Sequence, residues 1–343
     1  PETLLCPCCH DSKHLVPEIG YRICEKRVGL LAIVLEPIIH RRLEFKRRMK
    51  EDPTHREMWD QRSKILKWVL VTCFGYTGYK NARFGRIECH ESITAYGREI
   101  LLRTSEMAAR RGFRVLHGIV DSLWLEGKGD PVKFCREVSA DIRIPLQLEG
   151  IYKWIVFLPS VSTGVGALNR YYGLFESGEL KLRGIFLRKR DTITYARALL
   201  DVFTKANDSE QFKERIPEAL AVLDSHLKTL KDGTVPLEKL IVSHRISKEL
   251  EEYSQFNDSY AALRQMKERG FDVPPGKSVE YLITDGSSKR VWERVKAASF
   301  IDGGERYDTK EYGDLLFRAT ADLLHPFGWS FEALQERSAA QRV

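Results

Sequence analysis

The chain has 343 residues, 43% of them apolar and 30% charged, with a formal net charge of +7. That length and composition exclude a disordered or fibrous chain and support a globular protein with two or three sub-domains. The longest strongly apolar run, near 66–76, is far shorter than the roughly 20 residues of a bilayer span, and no basic-then-apolar leader opens the sequence. No membrane partner and a cytoplasmic setting are therefore expected. Pro1 is no natural translation start, so the sequence is expected to be a piece of a longer protein with something upstream. Lys and Arg cluster at 41–50, 103–114 and 181–190, which suits either a polyanionic partner or an ordinary solvated surface.

Seven cysteines, an odd number, argue against a disulfide framework. Cys6, Cys8, Cys9 and Cys24, with His10 and His14 among them, offer soft and imidazole ligands at close spacing. Either a structural Zn²⁺ or reduced thiols fit, because a second CxxC-type pair at regular spacing is absent.

From 28 to 49, Leu31, Val34, Leu35, Ile38 and Ile39 recur near helical spacing, followed by the basic run "HRRLEFKRRMK" and a break at "EDP". A second helix over 54–74, ending at Gly75, would complete an antiparallel helical hairpin. "GYTGYKNARFGRIEC" reads as turn, glycine-rich bend and strand, and "HESITAYGREILLRTSEMAARRG" as a helix closed by Gly112. Residues 113–119 and 122–125 read as two short strands, with Gly118 easing a tight connection, so Asp121 would sit near the tip of a hairpin. "IPLQLEGIYKWIVFLP" and "NRYYGLFESGELKLRGIFLRK" supply further strands, the latter a hairpin around "ESGE". From Thr192 onward the pattern is mostly helical, with segments "ITYARALLDVFTKA", "SEQFKERIPEALAVLDSHLKTLKDG", "LEKLIVSHRISKELEEY", "SYAALRQMKERG" and "TKEYGDLLFRATADLLHPFG". "GKSVEYLITDG" interrupts them as a strand.

This order of parts resembles the C-terminal half of a family-B DNA polymerase, across nearly the whole chain. The pieces that carry the resemblance are "FGYTGYKNARFGRIECHESITAYGREIL", "LHGIVDS", "NRYYGL" with "LKLRGIFLRKRDT", and "LEKLIVSHRISKELEEY", in the family's order and approximate spacing. Departures within them resemble the divergent second family-B paralogue of archaea. The resemblance implies an α+β right-hand fold: a palm-edge segment over 1–27, helical-hairpin fingers over 28–75, an antiparallel-sheet palm over 76–191 and a mainly helical thumb over 192–343. It also implies template-directed nucleotide addition to a primer, with Mg²⁺ or Mn²⁺, primer-template DNA and deoxynucleoside triphosphates as partners.

In that chemistry two divalent ions hold the primer hydroxyl and the triphosphate, and carboxylates from separate palm strands hold the ions. Asp121 matches the second Asp of the family's "DTD" hairpin, while its first Asp and its Thr are here Ile119 and Val120. Read alone, Asp121 fits an ordinary turn residue better than a metal ligand; the flanking motifs reverse that preference. The first acidic motif, DxxSLYPS-like in the family, does not occur, and the upstream remainder or a partner chain is expected to supply it. Glu149 matches a palm carboxylate that would contribute secondarily.

Arg42 and Lys46 are four apart on one helical face and Lys67 lies on the returning helix; all three match the family's triphosphate contacts, against the alternative of a solvated basic face. The family's Kx3NSxYG reads "KWVLVTCFG", so Val71 replaces a polar nucleotide contact and Phe74 keeps a ring without its hydroxyl. Near the primer end, Asn169 stands where a Lys is usual, while Arg170 and Tyr171 remain; Arg190 completes the expected duplex contacts. The alternatives to an enzyme are a pseudo-polymerase that binds primer-template or a replication partner without catalysing, and a generic basic nucleic-acid-binding protein.

Overall fold

The computed structural model describes residues 12–160, 164–188 and 193–340. The chain is mixed α and β and divides into two compact units, Pro1–Leu148 and Glu149–Val343. That boundary falls within the 76–191 stretch, because strands after Glu149 share one core with the helices that follow. Among the described residues no helix is long and apolar enough to cross a membrane.

Unit one begins with an irregular segment in which Leu15 bridges Arg22. It is fastened through Tyr21, whose hydroxyl donates to Glu91 at 2.8 Å, and through Glu18, paired with Arg98 at 2.6 Å. Two helices then form the expected hairpin, α1 (Leu30–Glu51) and α2 (Arg56–Thr77), the latter two residues longer than its glycine suggested. α1 buries no residue, so little core holds it; the hairpin's own tip does. There Asp52 accepts from the His55 amide at 3.2 Å, His55 Nδ1 at 3.0 Å and Trp59 Nε1 at 3.1 Å. The guanidiniums of Arg48 and Arg62 lie 4.9 and 5.1 Å from the Trp59 ring centre, cation–π contacts that clamp the turn.

Next comes α3 (Ile87–Arg110), which absorbs the stretch "RIEC" expected as a strand. Arg86, in extended conformation, starts it, and Glu88 in its first turn complements the helix dipole. Gly112, at φ 79°, ends the segment as anticipated. The antiparallel strands β1 (Arg114–Ile119) and β2 (Ser122–Glu126) follow, then a helix that periodicity had not revealed, α4 (Pro131–Ile142), capped by Asp130. A small core of Ala108, Phe113, Phe134 and Val138 joins α3, the hairpin's base and α4.

Unit two opens with a three-stranded antiparallel sheet, β3 (Tyr152–Pro159), β4 (Gly166–Phe175) and β5 (Leu180–Arg183), with β4 central. Helices α5 (Ala198–Thr204), α6 (Ser209–Glu214) and α7 (Ile216–Lys231) come next. The last two replace the single helix expected over 209–233: Pro217, which has no amide proton to continue α6, starts α7 instead. A second correction concerns "LEKLIVSHRISKELEEY", which is not helical. It forms two short 3₁₀ turns around β6 (Val242–Arg245). After α8 (Asp258–Glu268), β7 (Ser278–Ile283) pairs with both β6 and β8 (Val295–Ala297). Helices α9 (Thr309–Leu324) and α10 (Phe331–Ala340) complete the unit. One large core, with Tyr172, Phe203, Phe212, Leu223 and Tyr312 at its centre, runs from the first sheet to α9.

Candidate nucleotide and metal site

Arg42 and Lys46 share a face of α1, as their spacing of four requires, and Lys50 continues the row. On α2, Lys67, Val71 and Phe74 recur at helical spacing and form a second stripe. The two rows meet electrostatically at Lys46: burial of its stem, then the charges of Arg42, Lys67 and Lys50, hold its ammonium below the usual lysine value. Elsewhere on the hairpin Arg47 and Arg48 are paired with Glu44, and Lys64 with Asp60. Among the described residues Arg42, Lys46, Lys50 and Lys67 make no ion pair, and Arg42 Nε is a buried donor with no acceptor. A cationic cluster with an unsatisfied buried donor could hold an anion, since buried donors are otherwise nearly always matched. Val71 and Phe74, 51% and 38% exposed, extend it with an apolar end.

α3 links this cluster to Asp121. Near its start His90 stacks on Phe74, and further along Leu101 backs Gly118 of β1. At 1.5 Å per residue those contacts lie about 16 Å apart along the helix. Gly118 does not make the turn; a Cβ there would stand 3.1 Å from Leu123, so its role is close packing. The turn is the two residues Val120 and Asp121, because Ile119 pairs directly with Ser122. Val120 has φ 52°, the left-handed value a primed hairpin turn demands of its first residue. In that conformation a β-branched side chain costs about 1–2 kcal/mol. Val120 is 78% exposed, so little packing compensates. Val120→Gly is therefore expected to stabilise the chain by about 1 kcal/mol after allowing for glycine's entropy. Urea unfolding of both proteins measures this, and a lower midpoint for the variant would contradict it.

Asp121 is exposed at the tip, its Oδ1 accepting from Ser122 Oγ at 3.1 Å. At its tip the hairpin presents this one carboxylate, since residue 119, two before it, is an isoleucine; Glu126 at the base is paired with Arg114. Among the described residues no three His, Cys, Asp or Glu side chains gather as a metal-ligand set. A divalent ion at Asp121 would need further ligands from outside the hairpin tip. Glu149, in unit two, is ion-paired with Lys181 of β5, and a metal would have to displace that ammonium. Cys24 is half-buried; Cys6, Cys8 and Cys9, the other candidate zinc ligands, lie outside the described residues, as does Arg190.

The three described residues of the four expected at a DNA duplex separate in character. Asn169 is exposed. Arg170 instead forms an ion pair with Asp322 of α9, whose second oxygen accepts from the Phe186 amide at 2.5 Å. Tyr171 is 4% exposed and packs against Phe157 at 5.8 Å between ring centres. Beside them the Tyr172 hydroxyl donates to Leu323 O at 2.6 Å; burial, then Asp322, pushes that phenol well above its usual value. His90 and Thr77 were not evident as site residues from sequence, since nothing in "ECHES" shows that the ring turns back onto α2. Lys50 was in reach of the same spacing rule that found Arg42 and Lys46.

A model of DNA polymerase family B matches residues 8–326. A DNA polymerase of Thermococcus sp. (strain 9oN-7) is 26% identical over 359 aligned positions, which cover 99% of this chain and 44% of the relative. That of Archaeoglobus fulgidus is 25% identical over 290, covering 81% and 35%. Among solved structures, the family B DNA polymerase from the hyperthermophilic archaeon Pyrobaculum calidifontis superposes with a TM-score of 0.60 at 26% identity, covering 90% of this chain and 40% of that one. The chain thus spans less than half the length of these relatives, and on the family match over almost its whole extent it belongs to DNA polymerase family B.

Proposed function

We propose that this chain is the fingers (28–75), palm (76–191) and thumb (192–343) of a DNA-directed DNA polymerase, adding deoxynucleotides to a primer 3′ end. The observation that carries this is the convergence of Arg42, Lys46, Lys50 and Lys67 without carboxylate partners, around a buried arginine donor that lacks an acceptor. Three phosphates of a deoxynucleoside triphosphate match that charge and leave the base toward Val71 and Phe74. Asp121 would hold a divalent ion, Mg²⁺ or Mn²⁺, together with a carboxylate from the preceding part of the protein or a partner chain. When bound, such ions lower the charge barrier between primer hydroxyl and triphosphate. The chain's own residues bind and orient: the cations fix the triphosphate, Phe74 packs on the base, and the exposed Asn169 contacts the duplex. Arg170, committed to Asp322, acts on DNA by setting the position of β4.

The presence of Ile119 where a second carboxylate would complete the hairpin favours one other reading, a pseudo-polymerase that binds primer-template without catalysis. Both readings require DNA binding driven by phosphate contacts. Affinity for primer-template should be nearly independent of sequence and fall steeply with salt, on the order of tenfold or more between 50 and 200 mM. Fluorescence anisotropy at several salt concentrations measures it; a flat salt profile would overturn both.

A further inference from the structure

Phe74 ends the apolar stripe of α2, and a histidine that takes no part in the chemistry above holds its ring. His90, in the first turn of α3, stacks on Phe74 with ring centres 4.4 Å apart and planes inclined by 23°. His90 Nδ1 lies 3.1 Å from Thr77 Oγ1, while the Thr77 hydroxyl donates to the Phe74 carbonyl at 2.6 Å. A hydroxyl has one proton. With that proton committed to the carbonyl, Thr77 Oγ1 must accept from the ring, which fixes the imidazole proton on Nδ1. Thr77 is only 4% exposed, so bulk water does not compete for it. A Cβ on Gly78 would stand 3.1 Å from His90 Cγ and Nδ1, so the imidazole is also seated against backbone.

We propose that His90 is a positioning residue for the incoming nucleotide, holding the Phe74 ring in one orientation beside the triphosphate cluster. This rests on the nucleotide-binding role of the hairpin and assigns the group that makes a tyrosine hydroxyl dispensable at position 74. An unanchored ring must be ordered when the base packs on it; one already held by stack, hydrogen bond and backbone contact has paid that entropy in the free protein. His90 therefore acts on the base and not on the phosphates.

The test compares two probes on the full chain by calorimetry: deoxyadenosine triphosphate with Mg²⁺, and inorganic tripolyphosphate, which has the charge but no base. His90→Ala should weaken the nucleotide about three- to tenfold and leave tripolyphosphate within about twofold. His90→Phe, which keeps a ring but loses the Nδ1–H, should recover at least half of the lost affinity on a logarithmic scale. Circular dichroism and the thermal midpoint check that both variants fold. Unchanged nucleotide affinity in His90→Ala would overturn the proposal, as would an equal loss for both probes, the mark of a residue that merely supports the hairpin. A wild-type chain that binds neither probe would instead defeat nucleotide binding by the hairpin itself, and His90 positioning with it.

Discussion

Replacing Asp121 by Ala should reduce primer extension by the complete protein at least about a thousandfold, a loss of about 4 kcal/mol of transition-state stabilisation. The size follows from the hairpin. Asp121 is the one carboxylate at its tip, so no neighbour in the turn takes over an ion that loses this ligand. The fold should be untouched, because the side chain is exposed and bonds only to Ser122 next to it. Single-turnover incorporation in Mg²⁺ and Mn²⁺, with circular dichroism as a control, makes the measurement. Extension that survives the substitution would show that Asp121 is a turn residue and the metal is held elsewhere.

Arg42→Ala and Lys67→Ala should each weaken binding of deoxynucleoside triphosphate about ten- to hundredfold, while duplex affinity changes less than about twofold. A charged hydrogen bond contributes about 1.5–3 kcal/mol, and these cations have no carboxylate to share it with. Arg42→Lys should recover only part of the loss, since an ammonium cannot reproduce the planar donor fork. One secondary effect has a definite sign. Removing either neighbour relieves repulsion on Lys46, so its ammonium titrates at higher pH in the variants, which nitrogen-detected NMR can follow. Equal loss of nucleotide and duplex binding would mean that the hairpin is a general DNA contact.

The parts of this fold legible in sequence are those whose signals are local. Helical spacing in α1 and α2, the break at "EDP" and the glycine after α3 all lie within a few residues of what they determine. The β1–β2 hairpin was equally plain, although Val120 and not Gly118 builds its turn. The second sheet of unit two was largely hidden. β6 pairs with β7 across almost forty residues, Val242 opposite Tyr281, and its four residues sit in a segment whose composition also suits a helix. Only the distant partner decides between them. The site divides in the same way. The shared face of Arg42 and Lys46 follows from their spacing, with Lys67 added by the resemblance, whereas Arg170 is drawn to Asp322 and Tyr171 turns inward because β4 is buried on both faces from Tyr171 to Phe175. Alternation is lost there, and with it the sequence signal for which side chains face out. His90 was illegible for a further reason: its partner Phe74 belongs to another helix, and the glycine-rich bend between them gives no register.

Templated incorporation of a single deoxynucleotide tests the polymerase assignment most directly. The complete protein, annealed primer-template and one nucleotide at a time are mixed with Mg²⁺ or Mn²⁺, for wild type and for Ile119→Asp, which places a second carboxylate two residues before Asp121. The expected result is slow addition of the complementary nucleotide by wild type, with Ile119→Asp as fast or faster. Failure of both proteins to extend the primer in either metal, with primer-template still bound, would contradict catalysis and leave a DNA-binding pseudo-polymerase.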